Sequence, residues 1–274
     1  MASLWMGRKS FERRHRNSVK ALLKLLENLP DRPTPDQIHD LRVAVRRIQV
    51  VRKLLPKAIR EYPDSKRFDL DLKSAMKATS QLRDLDTLME TLAKQPLPPE
   101  TTINLQNQRS YLAATAREAL VALGSAPPPR LHWSLLRGRK ISRRLRDRVR
   151  RQGKLAAGLV QVVADDESKV AELHSLRKEV KRLRYLLELI DKRSPEVDML
   201  TEWQESLGAI HDLDVAVVYL QARGPDFAKA VRTIQRARHS RYVGFVNKRV
   251  HSSTSLLARS KMLSPRPDAS APPI

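Results

Sequence analysis

Two segments of this chain repeat each other, and that repeat limits the fold more than any other feature. His39-Asp-Leu-Arg-Val-Ala-Val-Arg-Arg-Ile aligns with His174-Ser-Leu-Arg-Lys-Glu-Val-Lys-Arg-Leu at an offset of 135 residues. Leu82-Arg-Asp-Leu-Asp aligns with Ile210-His-Asp-Leu-Asp at an offset of 128. Each pair falls in the same relative block of its half and in the same order. A chain duplicated in this way is expected to build one supersecondary plan twice.

The blocks are helical. Proline-centred breaks set their limits, because proline lacks the backbone donor that a helix interior needs. Helices are predicted over 9–29, 36–60 with a kink at Pro56, 63–94 and 100–123. Gly124 to Pro129 then forms the strongest linker, near the midpoint. Helices at 132–164, 168–192, 195–222 and 225–252 follow. Thr34 is a predicted N-cap with Pro35 at the first helical position. No strand-like alternation has any strength, and eight glycines are few for 274 residues. The expected architecture is all-α, with two four-helix bundles related by a pseudo-two-fold axis. One domain over 8–250 is expected, made of a first repeat at 8–123 and a second at 131–252. Residues 253–274 read as a disordered tail.

Charge narrows the function. Lys and Arg number 53 against 30 Asp and Glu, a net charge of +23. Such self-repulsion is relieved by a negatively charged partner, and nucleic acid, an anionic membrane face and polyphosphate all suit it. With no cysteine, disulfides, thiolate metal sites and cysteine nucleophiles are excluded. No apolar run is long enough to span a bilayer, and the N-terminal residues lack a secretory core. A soluble cytoplasmic protein is expected, without membrane partners.

Helical wheels at about 100° per residue locate the cations. His39, Arg42, Arg46 and Lys53 lie within about 60° of one another, opposite Leu41, Val45, Ile48, Val51 and Leu55. In the second copy His174, Arg177, Lys181, Arg184 and Tyr185 cluster, backed by Leu176, Val180, Leu183, Leu186 and Ile190. Spaced along a helix face, such cations make a rail rather than a pocket for one small anion. The first helix adds Lys9, Arg13, Arg16, Lys20 and Lys24. At the repeat offset, Arg144, Arg148 and Arg151 match the first three of these. Lys73, Lys77, Arg232 and Arg236 extend the positive surface. Any one of these cations alone reads as a solvated surface group. The set reads otherwise, because only Asp40 is acidic between His39 and Lys53 and the rail recurs.

His-x-x-Arg-x-x-x-Arg/Lys-Arg in both copies, with Leu-x-Asp-Leu-Asp one helix later, resembles the CHAD family, named for its histidines. The likeness covers about residues 8–250. His39, Arg42, Arg46 and Arg47 stand at motif positions, as do His174, Arg177, Lys181, Arg182, Arg184 and Tyr185. The segment Arg83 to Asp86 also fits. The resemblance implies two four-helix bundles around a basic central channel that holds inorganic polyphosphate, recruitment to polyphosphate granules, and binding without turnover. Two departures are Glu188 in place of Lys53 and His211 in place of Arg83. Many members of the family carry a fused triphosphate-hydrolysing domain, which nothing in this sequence fits.

Polyphosphate suits such a surface: Arg bridges its oxygens with a two-pronged fork while Lys supplies point charges. Asp84 and Asp212 are read as carboxylates that orient the arginines, with Asp86 and Asp214 weighed beside them for pairing, capping or metal binding. His39 and His174 are candidates for added charge below about pH 6.5, or for neutral hydrogen bonding. No catalytic residue, metal or cofactor is expected. Three other readings stay open: a nucleic-acid binder without sequence preference, a metal-dependent polyphosphate-processing enzyme, and an adaptor for an acidic protein. Sparse aromatics weigh against the first, and the lack of a Gly-rich phosphate loop against the second. Trp133 and Trp203 read as core.

Overall fold

The computed structural model describes residues 6–125, 127–133 and 136–250, and the regular structure among them is entirely helical. The α-helices are α1 (Arg8–Glu27), α2 (Pro35–Arg52), the short α3 (Lys57–Arg60), α4 (Pro63–Leu92), α5 (Pro99–Ser125), α6 (Gly138–Ala164), α7 (Val170–Glu188), α8 (Pro195–Gln221) and α9 (Ala228–Phe245). A 3-10 turn (Pro225–Phe227) precedes α9 and a π-turn (Val246–Val250) follows it. The expected tail over 253–274 lies outside the described residues.

Local chemistry sets the helix limits. Thr34 caps α2: the Gln37 N–H donates to its hydroxyl at 3.3 Å, and the Thr34 N–H donates to Gln37 Oε1 at 2.8 Å. This reciprocal box satisfies two donors that the first turn leaves unpaired. Pro35 occupies the first turn, as its position predicts. The kink expected at Pro56 is instead a break. α2 stops at Arg52, and Pro56 becomes the N-cap of α3, since its ring cannot follow a helical turn. The helix predicted from residue 132 begins at Gly138. Trp133 is turned edge-on against Phe11 and His15 of α1, at 6.3 and 5.3 Å between ring centroids, instead of continuing a helix. Gly224 adopts φ +107, so the turn after α8 favours a residue without a side chain.

Two compact units divide the described residues, one taking in 6–142 and 215–231 and the other 143–214 and 232–250. They differ from the linear halves expected at 8–123 and 131–252. The difference arises because the unit boundaries fall inside helices: residues 138–142 of α6 and 215–221 of α8 belong to the first unit and the rest of each to the second.

In the first unit α1 packs against α2 and α5, α2 against α4, and α4 against α5, closing a ring of four helices. Its core contains Val19 and Leu22 of α1, Ile38, Leu41, Val45 and Ile48 of α2, Phe68, Leu72 and Leu82 of α4, and Ala116, Leu120 and Leu123 of α5. The predicted α2 stripe Leu41, Val45, Ile48, Val51 and Leu55 is buried throughout. The second unit is tied by named contacts. Arg184 Nε donates to Gln204 Oε1 at 3.1 Å between α7 and α8. The Tyr242 hydroxyl of α9 donates to the Val163 carbonyl of α6 at 2.7 Å. Trp203 of α8, fully buried, meets Phe245 of α9 edge-on at 5.7 Å. Leu176, Val180, Leu183 and Leu186 bury the predicted stripe of α7.

Candidate polyanion-binding site

The exposed cations of α1 form the clearest row. Lys9, Arg13, Arg16, Lys20 and Lys24 all face solvent, while Phe11, His15, Val19 and Leu22 are buried on the other side. From Lys9 to Lys24 the row rises about 22 Å. Of its members, Arg16 is paired with Glu12 at 2.6 Å.

The α2 row is only partly a surface. His39 and Lys53 are exposed, and Arg46 and Arg47 are half-buried. Arg42, expected on the rail, is 6% exposed. Its Nη1 donates to the Met76 carbonyl at 2.9 Å and to the Thr79 hydroxyl at 2.8 Å. The wheel explains this: Arg42 is the member of the row nearest the apolar stripe, so it turns onto α4. Burial, with the neighbouring Arg46 charge, lowers its pKa to about 10 while Asp84 raises it, which leaves it protonated at neutral pH. A charge reversal at Arg42 would therefore perturb α2–α4 packing, and the solvent-facing cations are the informative ones to change.

The second row is similarly divided. His174, Arg177 and Lys181 are half-buried. Arg182 is exposed but pairs with Glu179. Arg184 pairs with Glu188 and lies over the Tyr185 ring, 4.5 Å from its centroid. Tyr185 and Glu188 are themselves buried. Tyr185, expected as a ligand contact, is buried with the Arg184 guanidinium over its ring. On α6, Arg151 is exposed while Arg144 and Arg148 are half-buried. Lys73, Lys77, Arg232 and Arg236 are all exposed.

The aspartates separate into two kinds. Asp84 is exposed and acts on Arg42 through its charge, and Asp212 is half-buried. Asp86 and Asp214, by contrast, hold guanidinium groups. Arg109 Nε donates to Asp86 Oδ1 at 2.7 Å, and Arg238 Nε donates to Asp214 Oδ1 at 2.9 Å. Among the described residues no group of three or more His, Cys, Asp or Glu is placed to hold a metal ion.

Sequence reasoning missed Arg52, Arg109 and Arg238. For Arg52 a signal existed: the wheel that carries His39 places it inside the apolar stripe, between Leu41 and Val45. A buried cation needs a partner, and the half-buried Asp69 on α4 is one.

Two histidines outside the predicted set, His15 and His211, are held neutral by their surroundings. His174 Nδ1 lies 3.2 Å from His211 Nδ1. Burial, followed by the nearby Arg177 cation, lowers the His211 pKa to about 4, so acidification to pH 5 leaves this ring neutral. His15, buried against Trp133, is lowered to about 4 by burial and then by Arg52. Above pH 6.5 His15 is neutral in both folded and unfolded chains and contributes no pH dependence. Between pH 6.5 and 4 the unfolded chain binds a proton that the native state excludes, so stability falls with pH. For His15 alone the loss approaches about 3 kcal/mol at pH 4. Urea titrations at several pH values should show this slope, and His15→Gln should flatten it. An unchanged slope in the variant would remove His15 from the acid response.

These features define a class: an all-α protein that presents rows of cations on helices braced by buried ion pairs. Comparison with known proteins supplies the family. The CHAD domain profile matches residues 16–221, and the chain belongs to the CHAD family, which is associated with polyphosphate binding. The crystal structure of the CHAD domain from the plant Ricinus communis is similar over 94% of this chain and 92% of that one, with a TM-score of 0.55 and 22% identity. That likeness concerns the fold. No curated protein sequence matches the chain. Among the described residues, no helix is long and apolar enough to cross a membrane.

Proposed function

We propose that this protein binds inorganic polyphosphate along its basic helix faces, does not turn it over, and is carried by that binding to polyphosphate granules. The observation that carries the reading is the exposed α1 row, Lys9, Arg13, Arg16, Lys20 and Lys24. A repeating anion with one charge per unit and no base edges calls for a line of donors rather than a pocket. Association of the family with polyphosphate supports the same ligand. The basic central channel and pseudo-two-fold arrangement implied by the family belong to this proposal, as does a contribution from Arg46, Arg47, Lys73 and Lys77.

The test is a titration with polyphosphates of defined length across a salt series, with duplex DNA as competitor. Affinity should rise with chain length and fall steeply with salt, as for other ligands that release condensed counterions. Displacement of polyphosphate by DNA at equal charge concentration would favour the nucleic-acid reading. Release of phosphate, or nucleotide-dependent chain growth with a divalent metal, would favour an enzyme.

A further inference from the structure

The two halves share a second device that the cation rows do not use. Arg109 of α5 reaches two elements at once: Nε donates to Asp86 on α4 at 2.7 Å, and Nη2 donates to the Pro33 carbonyl at 2.9 Å. Arg238 of α9 repeats this with the same nitrogens. Its Nε donates to Asp214 on α8 at 2.9 Å, and its Nη2 donates to the Glu167 carbonyl at 2.7 Å. The two carboxylates occupy the same place in the sequence repeat, the last residue of Leu82-Arg-Asp-Leu-Asp and of Ile210-His-Asp-Leu-Asp.

The carbonyls lie at matching places. Pro33 immediately precedes Thr34, the N-cap of α2, and Glu167 stands two residues before Lys169, the N-cap of α7. In both helices the motif histidine follows its cap by five residues, Thr34 to His39 and Lys169 to His174. Each clasp thus fixes the entrance of a helix carrying proposed ligand residues to the helix beside it. α4 also meets α2 through Arg42 and Thr79, and α8 meets α7 through Gln204 and Arg184. The clasps are sheltered, with Asp86 side-chain exposure at 1% and Arg238 at 11%. In the second, the Glu167 carboxylate adds a 3.5 Å contact to Arg238 Nη1 and a 2.8 Å contact to His239 Nδ1. Only a planar guanidinium presents two fixed donors in this way. Lysine could serve the carboxylate or the carbonyl, not both in this geometry.

We propose that Arg109 with Asp86, and Arg238 with Asp214, are positioning residues that set the N-terminal turns of α2 and α7 for anion binding. This rests on the polyphosphate reading of those helices. A bidentate brace costs little conformational freedom in the bound state because that freedom is already lost in the free protein. Without it the first turn of α2 frays, and the contacts that His39, Arg46 and Arg47 offer no longer act together.

The experiment compares Arg109→Met, Arg238→Met and Asp86→Asn with the wild type by three readouts: polyphosphate affinity, the slope of log affinity against log salt, and amide hydrogen exchange over residues 35–39 and 170–174. Arg109→Met should lose about tenfold in affinity and show a shallower salt slope, because fewer phosphates are engaged. Exchange should quicken over 35–39, and Arg238→Met should do the same over 170–174. Asp86→Asn keeps an acceptor for Nε and should retain the wild-type slope. Folded Arg-to-Met variants with wild-type slope and wild-type exchange would overturn the proposal. If neither Arg-to-Met variant folds, the clasp is a determinant of folding and the positioning role is likewise overturned. Failure of the wild type itself to bind polyphosphate would sink the proposed function instead, and the exchange readout would still decide the clasp.

Discussion

Reversing Lys9, Arg13 and Lys20 to Glu should lower polyphosphate affinity about a thousandfold and leave helicity unchanged. All three side chains are exposed on α1 and lie on the side away from Phe11, Val19 and Leu22. A contact between unit charges in water is worth about 1 kcal/mol at 4 Å. Reversal removes that attraction and adds a repulsion of similar size. For three sites, salt screening brings the total to roughly 4 kcal/mol, which is the thousandfold change. The fold should tolerate the exchange because Glu, Lys and Arg have similar helix propensities, and an acid at Lys9 suits the first turn. Reversing Lys57, Arg67 and Lys94, three other exposed cations, is the control and should cost far less. Equal losses in the two triple variants would replace the rail with diffuse attraction, as an adaptor for acidic partners would show.

Arg52→Ala should destabilise the first unit by about 3 kcal/mol, because a buried side chain with three polar contacts is removed and a cavity is left. Arg52 is 1% exposed. Its Nε pairs with Asp69, and its Nη2 donates to the Ser65 carbonyl at 2.8 Å and hydroxyl at 2.7 Å. The guanidinium carbon lies 5.2 Å from the Phe68 ring centroid. Removing the side chain takes the charge partner from the half-buried Asp69 carboxylate, leaves Ser65 without its donor, and opens a cavity between α2 and α4. Asp69→Asn should also destabilise, since the cation stays buried with its charge partner gone. Urea denaturation measures both, and a loss below about 1 kcal/mol for Arg52→Ala would mean that solvent reaches the site.

These two predictions draw on different levels of the molecule. The α1 row was legible as periodicity, because exposed cations on a helix depend only on the helix and on which face is apolar. Charge alone places Arg42 on the surface and gives no account of Arg52, although the phases of both on the α2 wheel point toward burial. A wheel gives direction but not what stands opposite. Whether a flanking arginine meets water or Thr79 depends on how close α4 lies. Tyr185 makes the same point: its phase matches that of the half-buried His174, yet it is buried with Arg184 over its ring.

Local chemistry in the chain determined where most helices start and stop and which of their faces are apolar. Thr34 with Gln37, Pro63, Pro99 and the stripe Leu41 to Leu55 act over one to four turns, within reach of neighbours in sequence. Tertiary structure alone decided which cations are surface and which are braces. Arg109 meets Asp86 across 23 residues and Pro33 across 76, and Arg238 meets Asp214 across 24 and Glu167 across 71. No local pattern marks such a partner, because the pairing exists only once packing of the apolar faces has brought the separate helices together.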